Sequence, residues 1–308
     1  MNTLVTGCAG YVGSVLTPLL LQAGHEVTGL DTIRYGQFSL ADCFAYPQFK
    51  LIRGDVRNSE LVKELVQDKE IIIWLAAIVG APASAEDESL AWEVNFESVR
   101  QLTTFLKPEQ LLVFPQTNSG YGIGGEDLCT EESPLNPISV YGRSKNAAES
   151  HILFYHKNAA IFRYATLFGL SPRMRFDLLV NNFTRRAILD RFLVLFEGHF
   201  RRNYLHVRDA AGAIIGAIEQ KIKPGIYNCG LPDANLTKRE LCERIKLHLP
   251  DFYFCEASIG QDPDRRDYEV SNARILSTGW RPQYTLDDGI AELIRAMPMY
   301  KDRLWQNG

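Results

Sequence analysis

The sequence predicts an α/β fold built around a doubly wound parallel sheet, and three observations support this. Short apolar segments alternate with amphipathic segments from the first residue, as expected when helices cover both faces of a sheet. A glycine-rich segment, residues 7–13, links the first apolar segment to the first amphipathic one. A longer polar segment, residues 117–137, is rich in Gly, Asn, Ser and Pro. Loops at the carboxyl ends of such strands are where open α/β sheets bind ligands.

Six short apolar runs are the predicted strands of this sheet. They are residues 2–6, 26–30, 49–53, 70–76, 110–116 and 159–165. The predicted long helices are residues 89–106 and 139–157, because their apolar positions recur at helical spacing.

After residue 169 the alternation loosens, and the sequence predicts a smaller α/β lobe. Its predicted helices, separated by Pro and Gly turns, are residues 178–190, 238–249 and 286–297. Residues 203–220 have the pattern of a strand followed by a helix of the main sheet. We therefore expect two interleaved units. The larger is residues 1–169 with residues 203–228 returning to it, and the smaller is residues 170–202 and 229–308.

The composition excludes several classes of protein. The chain has 308 residues, of which 46% are hydrophobic and 23% charged, which is typical of a globular protein. A net charge of -4 argues against a nucleic-acid partner. No basic leader precedes the first strand and no apolar run could cross a bilayer, so we expect a cytoplasmic protein without a membrane partner. The six cysteines show no metal-binding spacing, so no metal site is predicted.

The glycine-rich segment predicts a dinucleotide site. Gly7, Gly10 and Gly13, with Tyr11 and Val12 between them, lie between a strand and a helix. Backbone amides at that helix start can hold a pyrophosphate, and glycine lets the phosphate approach. Three glycines alone are a weak signal, but their place between a strand and a helix makes it specific.

The second strand ends at Asp31, where a carboxylate can accept hydrogen bonds from the adenine ribose. A 2′-phosphate would meet its negative charge, so NAD is expected rather than NADP. The alternative for Asp31 is an ordinary turn-forming residue. Arg34, close by in the sequence, weakens the expected preference for NAD over NADP.

Two further strand ends complete the predicted cofactor site. Asp55 and Val56 follow the third strand, and a carboxylate there can accept from the adenine amino group. Leu75, Ala76 and Ala77 end the fourth strand with mostly small side chains that let the backbone approach the cofactor. The alternative for Asp55 is a solvent-exposed residue in a turn. The alternative for Leu75, Ala76 and Ala77 is tight packing in the core. The larger unit is thus a predicted Rossmann domain that binds NAD.

A candidate catalytic set follows the fifth strand. Tyr141 and Lys145 lie four residues apart at the start of a predicted helix, hence on one face. Such a pair is common, but Thr117 at the end of the preceding strand adds specificity. Together with the glycine motif, this set resembles the extended short-chain dehydrogenase/reductase family in its sugar-nucleotide branch. The resemblance covers essentially the whole chain.

The resemblance implies roles for these three residues. Tyr141 would remove the proton from a sugar hydroxyl as hydride leaves the same carbon for NAD, and Thr117 would hydrogen-bond that oxygen. Lys145 would bind the nicotinamide ribose and keep the phenol acidic. An ammonium about 5 Å away at an effective dielectric of about 20 contributes roughly 3 kcal/mol, or about two pKa units.

The resemblance also implies a substrate site for a nucleotide sugar in the smaller lobe and beside Thr117. Arg202 and Arg266 would bind the diphosphate, since guanidinium groups suit phosphate oxygens. The other candidates are Asn118, Ser119, Thr166, Asn181 and Asn182. A structural Arg or a helix-capping Asn is the alternative for four of these residues, Arg202, Arg266, Asn181 and Asn182.

Departures from the family pattern narrow the expected reaction. The 4,6-dehydratases of this branch carry an Asp-Glu pair where this chain has Asn118 and Ser119, and the 3,5-epimerases place a Cys at Ser119. Neither residue present can act as their acid or base. Oxidation at one carbon remains, most often C4, with 4-epimerisation as the alternative. A non-catalytic NAD sensor is disfavoured because Thr117, Tyr141 and Lys145 are all present.

Three segments give a narrower resemblance. Residues 117–124, 171–181 and 201–209 look like those of bacterial dehydrogenases that oxidise C4 of GDP-linked heptose for capsule polysaccharide biosynthesis. In extended short-chain dehydrogenases, helices equivalent to residues 89–106 and 139–157 also form a four-helix dimer interface. We therefore expect a homodimer, with simple packing of these helices on the sheet as the alternative.

Overall fold

The structure is a computed structural model that describes residues 1–123, 128–257 and 266–300. Within these residues it contains twelve strands and eleven α-helices. The strands are β1 Asn2–Thr6, β2 Glu26–Asp31, β3 Phe49–Arg53, β4 Ile71–Trp74, β5 Leu111–Thr117, β6 Ala159–Tyr164, β7 Thr166–Phe168, β8 Phe192–Leu195, β9 Arg201–His206, β10 Gly225–Cys229, β11 Asn235–Thr237 and β12 Tyr253–Glu256. The helices are α1 Gly13–Gln22, α2 Ser59–Val66, α3 Ala81–Glu86, α4 Glu88–Trp92, α5 Ser98–Phe105, α6 Val140–Tyr155, α7 Leu179–Leu189, α8 Val207–Ile218, α9 Lys238–His248, α10 Ala273–Ser277 and α11 Leu286–Ala296.

The main sheet confirms the predicted α/β fold. It has seven parallel strands in the order β10-β6-β5-β4-β1-β2-β3. Residues of α1 and α8 pack in the hydrophobic cluster on one face, and residues of α2, α5 and α6 in the cluster on the other. Covering both faces explains why the central strands are continuous apolar runs rather than alternating ones. All six predicted strands are present.

The prediction for residues 203–220 is wrong in one respect. β9 lies in a separate three-stranded sheet, in the order β11-β9-β7, while α8 does return to the main sheet. The seventh strand of the main sheet is instead β10, which pairs with β6. A short buried strand carries no sequence signal for its partner, so pattern alone assigned β9 to the wrong sheet.

A third hydrophobic cluster forms the core of the C-terminal part. It joins α7, α9 and α11 to β9 and to the parallel pair of β8 and β12. The exact domain boundaries remain a prediction. No helix in the described part of the chain is both long and apolar enough to span a bilayer.

Buried hydrogen bonds join the start of α1 to the segment after β7. The Tyr11 phenol donates to the Gly169 carbonyl (2.6 Å), and the Asn181 amide nitrogen donates to the phenol oxygen (3.2 Å). Asn181 Oδ1 accepts from the Gly169 amide (3.0 Å). Ser171 Oγ donates to the Tyr11 carbonyl (2.7 Å) and lies 3.0 Å from Ser14 Oγ. We call these five residues the inter-segment network.

Replacing Asn181 with Ala should lower the free energy of unfolding by about 1–3 kcal/mol, because Tyr11 and Gly169 would lose buried partners. Urea unfolding measures this. Asn182→Ala is the matched control, since Asn182 is less buried and its amide nitrogen donates to the Phe176 carbonyl (3.1 Å). Equal losses in the two variants would contradict a special role for the network.

Candidate active site

A large cavity lies at the carboxyl ends of the main-sheet strands. Its volume is about 660 Å³, within the usual range for ligand sites. Its wall contains Asp31 at the end of β2, Thr117 at the end of β5, and both Tyr141 and Lys145 on α6. The described structure therefore brings together the predicted cofactor and catalytic residues.

The glycine loop forms one wall of the cavity, and its shape requires glycine. Gly7 has a φ of +68°, and a Cβ there would lie 2.8 Å from the Ala76 nitrogen. A Cβ on Gly13 would overlap the Gly7 and Cys8 carbonyl oxygens. The loop can thus pack against the end of β4 and leave amides open at the start of α1. This arrangement fits a dinucleotide pyrophosphate.

Asp31 is fixed in the cavity wall by main-chain donors. One carboxylate oxygen accepts from the Ile33 amide (2.8 Å) and the other from the Ala9 amide (3.0 Å). Burial raises the pKa of Asp31, and these two donors and Arg173 oppose that rise. Each oxygen keeps a lone pair, so the carboxylate can accept the two hydroxyls of a ribose.

The remaining predicted cofactor residues also line the cavity. Tyr11 and Val12 lie by the glycine loop, and Val56, Leu75, Ala76 and Ala77 lie on the walls formed after β3 and β4. Asp55 lines the cavity too, but its carboxylate is bound by the Arg57 guanidinium at 2.8–3.1 Å. Hydrogen bonds from Arg57 lower the pKa of Asp55 despite its partial burial. A role for Asp55 toward adenine remains a prediction.

The predicted catalytic residues come from two adjacent elements. Thr117 ends β5, and α6 begins behind Ser139, whose hydroxyl accepts from the Gly142 amide (3.1 Å). This cap places Tyr141 and Lys145 on the first two turns of α6. The Thr117 hydroxyl lies 2.9 Å from Ser119 Oγ, and its interaction with the Tyr141 phenol lowers the pKa of that phenol.

The electrostatics of the phenol differ from the expectation. Burial raises the pKa of Tyr141, and the main cations that oppose this are Arg175 and Arg266 rather than Lys145. Burial also lowers the pKa of Lys145 to about 7, with Glu149 opposing. Since burial disfavours its charge, Lys145 is a weaker source of positive potential than its spacing suggested.

Three of the predicted substrate residues line the cavity and four do not. Ser119, Thr166 and Arg266 lie in its wall. The other four lie outside it, namely Asn118, Asn181, Asn182 and Arg202.

Contacts within the protein explain why three of these four residues lie elsewhere. Asn181 is fully buried. Its side-chain amide accepts a hydrogen bond from the Gly169 amide and donates to the Tyr11 phenol oxygen and the Arg175 carbonyl. Asn182 donates to the Phe176 carbonyl. Arg202 is buried beside the Tyr268 ring, with its guanidinium carbon 5.9 Å from the ring centroid. Asn118 is buried, and its amide makes no hydrogen bond within the described residues.

Two arginines that sequence analysis did not assign line the cavity. Arg175 is buried, and its guanidinium binds the Asp177 carboxylate at 3.1 and 2.5 Å. Arg173, also buried, lies two residues earlier. Both belong to segment 171–181, which supplied only a family resemblance. The only signal in the sequence was the presence of two arginines two residues apart in this segment.

Asn95 is a third residue that the sequence did not single out. It lies in a π-helical turn, Glu93–Glu97, which interrupts the predicted helix 89–106. Its side chain accepts from the Ile78 amide (2.8 Å) and donates to the Ile78 carbonyl (3.0 Å) and to Ser144 Oγ (3.1 Å). Asn95 therefore holds the cavity wall after β4 against α6.

Comparison with known proteins agrees with this geometry. The model of the NAD dependent epimerase/dehydratase family matches residues 3–230. A UDP-glucose 4-epimerase from Lactobacillus helveticus is 28% identical over 324 residues, covering 94% of this chain and 95% of its own.

Two solved structures share the fold over nearly the whole chain. One is a dTDP-glucose 4,6-dehydratase from Bacillus anthracis in complex with NAD, with a TM-score of 0.81, 25% identity, and coverage of 99% of this chain and 98% of its own. The other is a UDP-glucuronic acid 4-epimerase from Bacillus cereus in complex with UDP-glucuronic acid and NAD, with a TM-score of 0.80, 26% identity, and coverage of 97% and 100%. The glycine loop, the Asp31 carboxylate and the paired Thr117 and Tyr141 thus stand in a known scaffold, and the chain belongs to the NAD dependent epimerase/dehydratase family.

Proposed function

We propose that this enzyme oxidises the C4 hydroxyl of a nucleotide sugar to a 4-keto sugar, with NAD as the hydride acceptor. The observation that carries the proposal is that Thr117 and Tyr141 line the same cavity wall, while the two residues that follow Thr117 in the chain carry no carboxyl group. Asn118 and Ser119 stand where a dehydratase needs carboxyl groups. The site therefore has the groups for one proton transfer and lacks the additional pair for elimination.

Each residue has a definite part in this proposal. Tyr141 accepts the proton of the C4 hydroxyl, and Thr117 holds that oxygen by a hydrogen bond. Arg175 and Arg266 stabilise the phenolate form that acts as the base. Lys145 lies one turn from Tyr141, where it would bind the nicotinamide ribose. NAD, when bound, supplies the hydride acceptor.

The substrate assignment rests on charge and on relatives. Arg266 in the cavity wall is suited to a diphosphate. The relatives described above act, by name, on UDP- and dTDP-linked sugars. The resemblance of segments 117–124, 171–181 and 201–209 to heptose dehydrogenases supports GDP-linked heptose as the substrate.

A 4-epimerase is the second candidate, and the names of the relatives favour it. Both a UDP-glucose 4-epimerase and a UDP-glucuronic acid 4-epimerase resemble this chain. The same Tyr141 and Thr117 serve that reaction, which differs only in that the ketone turns before hydride returns to its other face.

We also propose a homodimer through α5 and α6. The end of α6 exposes Phe154 and Tyr155, which are 72% and 64% accessible. Phe154→Lys should give a monomer in sedimentation velocity, because a charge would enter an apolar contact. Phe192→Lys, an exposed apolar position on β8, is the control. An unchanged sedimentation coefficient for Phe154→Lys would contradict the interface.

NAD should bind at least roughly tenfold more tightly than NADP, because the Asp31 carboxylate repels a 2′-phosphate. Titration of each dinucleotide by calorimetry measures both dissociation constants. Asp31→Asn should bring the dissociation constants of NAD and NADP closer together, because it removes the charge that repels the 2′-phosphate. Equal affinities of the unmodified enzyme for the two dinucleotides would show that Asp31 does not face the adenine ribose.

Incubation with NAD and a panel of nucleotide sugars tests the reaction. GDP-linked heptose should give a 4-keto sugar and NADH, detected by mass spectrometry and absorbance. Tyr141→Phe should lose at least about a hundredfold in turnover, since it lacks the acid/base oxygen. It should keep its fold and its NAD affinity.

The panel also separates the alternatives. An inverted C4 alcohol as the sole product, with no net change in cofactor, would replace the dehydrogenase proposal with the epimerase. Activity of Tyr141→Phe within tenfold of the unmodified enzyme would show that another group is the base.

A further inference from the structure

Two side chains from distant segments meet at the end of the cavity that contains Asp31 and the glycine loop, which we call the dinucleotide end. Arg173 lies after β7, and Tyr35 lies in the loop after β2. The guanidinium carbon of Arg173 is 4.4 Å from the centroid of the Tyr35 ring, which is a cation–π contact. Both residues line the cavity. The contact therefore connects the Asp31 side of the cavity to the segment that carries Arg173 and Arg175.

Arg173 is held in place from its own side. The residue is buried, and its main-chain nitrogen lies 3.3 Å from both Ser14 Oγ and Ser171 Oγ. One guanidinium nitrogen donates to the Met174 carbonyl (2.6 Å). Since Ser14 is in the first turn of α1, the network fixes Arg173 close to the helix start that presents the glycine-loop amides.

Tyr35 is held in place by the glycine loop itself. Its amide donates to Gln37 Oε1 (3.1 Å), and Gln37 Nε2 donates to the Ala9 carbonyl (3.3 Å). Ser39 Oγ donates to the same carbonyl (2.8 Å). Two hydrogen bonds, from Gln37 and Ser39, thus join the loop after β2 to the Ala9 carbonyl in the middle of the glycine loop.

The loop that carries Tyr35 also contains backbone strain. Ile33 has a φ of +52°, a left-handed conformation that a β-branched residue rarely adopts. Its amide is held by Asp31 Oδ1. Strain of this kind persists only where surrounding contacts impose it, and it is concentrated at ligand clamps and switch regions.

The charge of Arg173 suits a dinucleotide. Burial lowers the pKa of Arg173, while Tyr35, Asp177 and Asp31 oppose that shift. A guanidinium group kept charged near the glycine-loop amides can pair with a pyrophosphate, and an anion there would offset the cost of its burial.

We propose that Arg173 and Tyr35 form a clasp across the dinucleotide end of the cavity, which positions NAD and must open for NAD to enter or leave. Arg173 supplies the positive charge toward the diphosphate, and the Tyr35 ring covers the guanidinium. This inference rests on the NAD dependence of the family and on the contacts of the two residues. It is independent of which sugar is oxidised.

The test is the rate at which NAD dissociates, measured by stopped-flow displacement from the intact protein. Tyr35→Ala should raise this rate roughly three- to thirty-fold, as expected for loss of one cation–π contact. Tyr35→Phe keeps the ring and should remain within twofold of the unmodified protein. Arg173→Gln should also raise the rate, and more strongly at low ionic strength, because it removes a charge.

The result that would overturn the clasp is a dissociation rate for Tyr35→Ala within twofold of that for Tyr35→Phe. Thermal melting of the NAD-free protein serves as the folding control, since Tyr35 is 41% exposed and its removal should change the midpoint little. A large drop in that midpoint with no change in the dissociation rate would assign Tyr35 a structural role instead.

Discussion

The geometry of the cavity depends on the inter-segment network that joins the start of α1 to the segment after β7. Tyr11 donates to the Gly169 carbonyl, and Asn181 closes the arrangement by bonding both residues. These groups are buried, so each would be costly to leave without a partner. Because the network fixes residues 169–181 beside the glycine loop, it decides where Arg173 and Arg175 project. A cofactor site on the main sheet and a cationic wall from another segment thereby become one cavity.

Burial is the second physical factor in this site. It raises the pKa of Tyr141 and lowers that of Lys145 to about 7, so both groups are biased toward their neutral forms. A phenol that acts as a base near neutral pH then needs positive potential from elsewhere. Arg175 and Arg266 supply it from the cavity wall, and Thr117 also lowers the pKa of the phenol. The phenol is thus tuned by residues far from it in sequence.

The reaction itself depends on very few positions. In the proposed reaction, Thr117 and Tyr141 provide one proton transfer in a scaffold shared with epimerases and a dehydratase. The two residues after Thr117 then decide whether the site has the further acid and base that elimination of water requires. Asn118 and Ser119 in these places are the reason that the proposed chemistry is limited to oxidation and reduction at one carbon.

The sequence by itself determined the α/β fold, the six strands from β1 to β6, the glycine loop and the candidate catalytic residues. These features are local: apolar runs bounded by turns, glycines where a Cβ would clash with nearby backbone, and a Tyr and a Lys one helical turn apart. Tertiary structure alone decided which sheet β9 joins, because strand pairing depends on distant partners. It also showed that Asn181 and Arg202 are buried away from the cavity, whereas Arg173 and Arg175 line it. The sequence pattern shows that a polar residue is present. Only packing decides whether its side chain faces a ligand cavity or forms hydrogen bonds with buried backbone groups of the protein.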